Sequence, residues 1–239
     1  MHATLLNPML KLKSLFFLLA LSATSLSAAP KPKPTPTPVP TPPPTLISSL
    51  PYVITAPGTY VLTGNLTATT KVGAAAISIL SNIQGPVVLD LQGFTLTGVG
   101  PDTVGIGIGG GPGDPDVSNT FPITVKNGTI INCSYGVWAE TGLVLNNITV
   151  TNLTISTVDS VLYPGDTVGI LFSVVENSVV RNCTINQPTI GIQDSLSPGG
   201  NQFYNITMNN VQKALFVEEY TNATHLILSD CTFAAPVTP

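Results

Sequence analysis

One six-residue pattern returns six times along the chain: an apolar residue, a polar one, then Asn, Gly or Asp, a small or apolar residue, Thr, and an apolar residue. The copies read LQGFTL at 91–96, VKNGTI at 125–130, VTNLTI at 150–155, VRNCTI at 180–185, FYNITM at 203–208 and LSDCTF at 228–233. Apolar and polar positions alternate as in a half-buried strand, and the alternation slips once, at the third position. Val180 and Cys183 both point inward, with Arg181 and Thr184 both outward, only if Asn182 turns the chain between two short strands. The residue types found at that position, Gly, Asn and Asp, are those that tolerate a left-handed backbone.

The third positions, 93, 127, 152, 182, 205 and 230, are 34, 25, 30, 23 and 25 residues apart, a spacing that predicts a solenoid. A second landmark lies seven residues after the Thr in three copies, at Gly136-Val137, Gly191-Ile192 and Ala214-Leu215. The gap is ten residues from Thr95 to Gly105 and fifteen from Thr154 to Gly169; insertions at one corner of a repeat are loops on one face. Tyr60 to Thr67 reads as an earlier, irregular repeat. With strands about 4.8 Å apart, the side chains of Asn127, Asn152, Asn182, Asn205 and Asp230 are expected to stack inside the bend as an asparagine ladder.

Through its Asn-x-Thr-Ile and Gly-Ile pairs, the chain resembles the pectate-lyase-like (pectin lyase-like) superfamily of parallel β-helix repeats over about residues 85 to 235. The resemblance implies an all-β fold, a single-stranded right-handed parallel β-helix of about six to seven coils. That fold carries lyases, hydrolases, phage spikes, adhesins and binding proteins, so it implies no single activity. The Asn-Thr-Asp, Asp-Asp and His-Gly motifs of the polygalacturonase-like members are missing, and Arg181 has no acidic calcium-binding cluster beside it. A non-catalytic member is therefore the expectation.

Composition adds the compartment. The chain is 43% apolar and only 8% charged, with 21 glycines in 239 residues, enough for one well-buried domain. A Lys-flanked apolar run at 14–21 followed by small residues marks residues 1–29 as a secretory signal peptide. Met9 is an alternative start, and Leu15 to Leu21 is too short to span a bilayer. Residues 30–44, PKPKPTPTPVPTPPP, form a linker that as polyproline II reaches about 45 Å, either a spacer or an unstructured tail. The domain itself, 45–239, holds Lys71, Lys126, Arg181 and Lys213 against twelve acids, a formal charge of −8, which disfavours nucleic acid and anionic membranes as partners. A secreted or extracytoplasmic location, periplasmic or cell-surface, follows.

Candidate chemistry lies on the strand after each Gly landmark. There an outward column of Trp138, Leu171, Gln193 and Phe216 is followed two positions on by Glu140, Ser173, Ser195 and Glu218. Aromatic rings beside acids and amides suit the apolar face and the hydroxyls of a sugar, and Trp138, Gln193 and Phe216 are the ligand-binding candidates. Insertions at 107–120, with Asp114 and Asp116, and at 157–166, with Asp159 and Asp166, are expected to border this face. Were the protein an enzyme, Glu140, Asp194 and Glu218 would be its acids, with Asp194 inward beside Ala139, Phe172 and Val217. Cys133, Cys183 and Cys231 read as unpaired thiols, the latter two standing two repeats apart and beyond disulfide reach. Asn-x-Thr/Ser occurs eight times, but four of these asparagines belong to the ladder. No metal site or cofactor is expected, His225 being the only His of the domain. The readings are a binder of polysaccharide or another envelope component, a polysaccharide lyase or glycoside hydrolase, and a structural surface protein that associates through its C-terminal repeat.

Overall fold

The structure is a computed structural model that describes residues 42–69, 75–109, 114–115, 117–158, 166–218 and 227–234. The segment expected to be a signal peptide, the expected linker up to residue 41, Asp116, Asp159 and His225 lie outside the described residues. No described residue is helical, so no helix among them is long and apolar enough to cross a membrane.

All described strands fall into two sheets. The first sheet takes β1 (Thr45–Ile47), β3 (Gly58–Leu62), β6 (Val87–Asp90), β9 (Ile123–Cys133), β11 (Ile148–Thr157), β13 (Val179–Asn186), β15 (Gln202–Asn209) and β17 (Ile227–Ser229) in that order. Three short strands extend it: β4 (Leu66–Thr67), β7 (Thr95–Thr97) and β18 (Thr232–Ala234). The second sheet orders β2 (Tyr52–Ile54), β5 (Ala75–Ile79), β8 (Val104–Ile108), β10 (Tyr135–Asn146), β12 (Val168–Glu176), β14 (Ile190–Ser195) and β16 (Lys213–Glu218). Pairing between these strands is parallel, and from β8 to β16 the chain passes from one sheet to the other with each repeat. The arrangement is all-β and compatible with a parallel β-helix.

The register follows the hexapeptide. Val125, Val150, Val180 and Phe203 align strand to strand, as do Ile130, Ile155, Ile185 and Met208, and all are at most 1% exposed. Opposite them, Ile106, Val137, Ile170 and Ile192 form a matching column of the second sheet, each 0% exposed. Phe172 and Phe203 meet across the core with ring centroids 6.2 Å apart. The Gly landmark makes this packing possible. A Cβ on Gly169 would fall under 3.0 Å from both Ile185 Cγ2 and the Gly191 carbonyl oxygen, and Gly105, Gly136 and Gly191 face equivalent neighbours. At these four glycines the second sheet approaches the facing side-chain column too closely to leave room for a Cβ.

At the bend the asparagines do not point inward. Asn152, Asn182, Asn205 and Asp230 are exposed and Asn127 is half-buried. All five have positive φ, between 52° and 58°. One left-handed residue reverses the strand's alternation, so the residue after it, such as Leu153 or Cys183, takes the inward place and the bend side chain turns out. The stack forms on the outside: Asn152 Nδ2 donates to Asn127 Oδ1 at 3.1 Å, Asn182 to Asn152 at 3.2 Å, and Asn205 to Asn182 at 2.7 Å. Asn127 Nδ2 donates in turn to both oxygens of Asp90, at 3.2 Å, and Lys126 Nζ lies 3.3 Å from the same carboxylate. A second stack links Asn209 to Asn186 at 2.9 Å and Asn186 to Ser156 at 3.2 Å.

Candidate functional site

The outer face of the second sheet is built by register. Gly107, Trp138, Leu171, Gln193 and Phe216 are paired partners on β8, β10, β12, β14 and β16. Glu140, Ser173, Ser195 and Glu218 form the next outward column. Strand alternation puts both columns on one face. The columns are not uniformly open. Leu171, Ser173 and Ser195 are 7%, 7% and 5% exposed, whereas Trp138, Glu140, Gln193 and Phe216 are half-buried and Glu218 is exposed.

The aromatic end of the face contains a residue that the repeat pattern does not single out. Tyr135 lies against Trp138, with ring centroids 4.7 Å apart and planes tilted by 40°. Trp138 Nε1 donates to Glu140 Oε2 at 2.5 Å, and Ser173 Oγ donates to Glu140 Oε1 at 3.4 Å. Tyr135 OH donates to Asp166 Oδ2 at 3.2 Å. Each polar edge of the aromatic pair is thus held by a carboxylate. At the other end, Lys213 Nζ sits 5.3 Å from the Phe216 ring centre, within cation–π range. Between the ends, Gln193 Nε2 donates to Ser195 Oγ at 2.9 Å.

The loops that border the face have local duties. Strand β8 runs to Ile108, so the first insertion begins at Gly109 rather than at 107. Asp114 accepts from Ser81 N at 2.7 Å and also from the Ser81 hydroxyl. The carboxylate anchors the insertion to a fully buried serine.

Asp194 occupies a place in an inward column whose other members Ile79, Ile108, Ala139 and Phe172 are buried, while Val217, its partner on β16, the last strand of this sheet, is 37% exposed. It is 5% exposed. Asn201 Nδ2 lies 3.2 Å from both of its oxygens and 2.8 Å from the Val175 carbonyl. Burial pushes the Asp194 carboxyl above its usual range, and hydrogen bonds from Ser197 and Asn201 counter that only in part. Asn201 also accepts from Ser178 N at 3.0 Å, which makes Asp194 one member of a network satisfying the corner between β14 and β15. It shares no face with Glu140 or Glu218.

The thiols are unpaired. Cys133 and Cys183 are buried, Cys231 is half-buried, and none forms a disulfide. Desolvation raises Cys133 and Cys183 to about 11 each, so both stay protonated and unreactive at neutral pH. Among the described residues no group of three or more His, Cys, Asp or Glu is placed to hold a metal ion. Comparison with family models, with curated proteins and with solved structures finds no match to this chain.

Proposed function

We propose that the chain is an exported right-handed parallel β-helix of about six to seven coils, pectate-lyase-like in fold, that binds a polysaccharide or another cell-envelope component. The second sheet's outer face is the binding surface. The observation that carries this reading is the in-register outward column from Trp138 to Phe216, with Tyr135 against the indole and the Gln193 amide between the rings. Aromatic faces receive the apolar side of a sugar while neighbouring polar groups fix its hydroxyls. The signal-like segment at 1–29 and the Pro-rich segment at 30–44 support export and a spaced surface position.

The disposition of the acids favours binding over hydrolysis. Glu140 and Glu218 stand three strands apart, about 14 Å at the usual strand spacing, against the roughly 5 to 9.5 Å that paired glycosidase carboxylates need. Asp194 faces the opposite side of the sheet. The test is retention of the purified chain on a panel of immobilised polysaccharides, with the eluate assayed for new reducing or unsaturated ends. Retention without cleavage, lost in Trp138→Ala, is the expected outcome. Absence of retention on every polymer refutes glycan binding, and release of new ends refutes a purely binding role.

A further inference from the structure

We infer that the ligand is an uncharged linear glycan lying across the strands of the second sheet, with one sugar on Trp138 and another about three sugars along on Phe216. The inference rests on the glycan-binding reading above and narrows it to a substrate class.

Charge excludes the acidic alternative. Among the described residues, the charged groups along the two columns and the residues contacting them are Glu140, Asp166 and Glu218, with Lys213 alone of opposite sign. Glu140 and Asp166 flank the Trp138–Tyr135 platform itself. A polyuronate stretched along the column would set a carboxylate on each sugar against them, at separations where like charges are costly. The domain's formal charge of −8 adds the same bias at longer range.

Geometry sets direction and length. Trp138, Leu171, Gln193 and Phe216 are successive partners, so the two aromatic platforms are three strand spacings apart, about 14 Å. A linear glycan advances per sugar by a step close to the strand spacing, so a chain laid perpendicular to the strands meets a ring at each end of a four-sugar stretch. Between the rings Leu171, Ser173 and Ser195 are nearly covered, leaving Gln193 as the polar contact for the middle sugars. The indole Nε1 is already bonded to Glu140, so Trp138 meets a sugar through whatever part of its ring Tyr135 leaves open, not through its N–H.

The test uses the intact chain and needs no variant to begin, because Trp138 is the sole tryptophan and its fluorescence reports this site directly. Soluble glucomannan, hydroxyethylcellulose and polygalacturonate are titrated at low and high salt. A fluorescence change with a neutral polymer, little affected by salt, and none with polygalacturonate is expected. Phe216→Ala is expected to weaken binding of a hexasaccharide about tenfold, one stacking contact, while leaving a disaccharide unaffected. The pair Glu140→Gln and Glu218→Gln is expected to admit polygalacturonate. Polygalacturonate binding equal to that of the neutral polymers overturns the charge argument and leaves glycan binding standing. An unchanged hexasaccharide affinity in Phe216→Ala overturns the span. No response to any polymer overturns the glycan-binding reading itself.

Discussion

Asn182 sits at the middle of the external stack, and replacing it separates the two things an asparagine does there. Its Nδ2 donates to Asn152 at 3.2 Å, its Oδ1 accepts from Asn205 at 2.7 Å, and its φ is 53°. Asn182→Ala removes both hydrogen bonds, worth about 0.5 to 1 kcal/mol each at an exposed position. It also leaves a Cβ-bearing residue without a local polar group in the left-handed region, costing about 1 kcal/mol more. The expected loss is about 2 to 3 kcal/mol. Asn182→Gly removes the same bonds but relieves the backbone, so about 1 to 2 kcal/mol is expected after the entropic cost of glycine. Equilibrium urea unfolding of the two variants reads the difference as a midpoint shift at unchanged slope. If Gly destabilises as much as Ala, the backbone half of the reasoning fails; if both stay within about 0.5 kcal/mol of the parent, the stack contributes nothing and its hydrogen bonds are incidental.

Three further outcomes follow from the core and its corner. Asp194 has a folded-state pKa raised mainly by burial, so its contribution to stability is full below the unfolded carboxyl pKa and is lost as pH rises through the folded value; melts across acidic pH should show this slope, and Asp194→Asn should abolish it and raise stability at neutral pH. Gly169→Ala drives a methyl into Ile185 and the Gly191 carbonyl and is expected to cost about 1 to 3 kcal/mol in denaturant unfolding. Thiol titration of the native protein at neutral pH should modify Cys231 first, since Cys133 and Cys183 are buried and raised to about 11; equal rates for all three would show that the repeats open together.

What was legible in the residues was whatever recurs. The alignment of Val125, Val150, Val180 and Phe203, the inward place of Cys183, the Trp138 column and the burial of Asp194 all follow from counting positions within a repeat. The side of the bend on which the asparagines lie did not follow. A left-handed residue breaks the alternation, and counting does not say whether the displaced side chain goes in or out until the residues after it, Leu153 and Cys183, claim the core. Asp90 was missed as the acceptor that begins the stack because the first copy of the hexapeptide has Gly93 where the others have Asn or Asp, and bends over both Gln92 and Gly93. Tyr135 and Lys213 were missed for a related reason: they precede the landmark residues Gly136 and Ala214, outside the alternating run, and only the aligned strands bring them beside Trp138 and Phe216. The near-complete cover over Ser173 and Ser195 depends on neighbours that no periodicity encodes.

The side-chain amides of the stack share one polarity. Asn127, Asn152, Asn182 and Asn205 each donate to a residue earlier in the chain, as do Asn186 and Asn209 in the second stack. For a polypeptide that emerges N-terminus first, every acceptor is therefore already present when its donor arrives. Each new rung can close on the one before without waiting for the next, as a zip closes behind its slider.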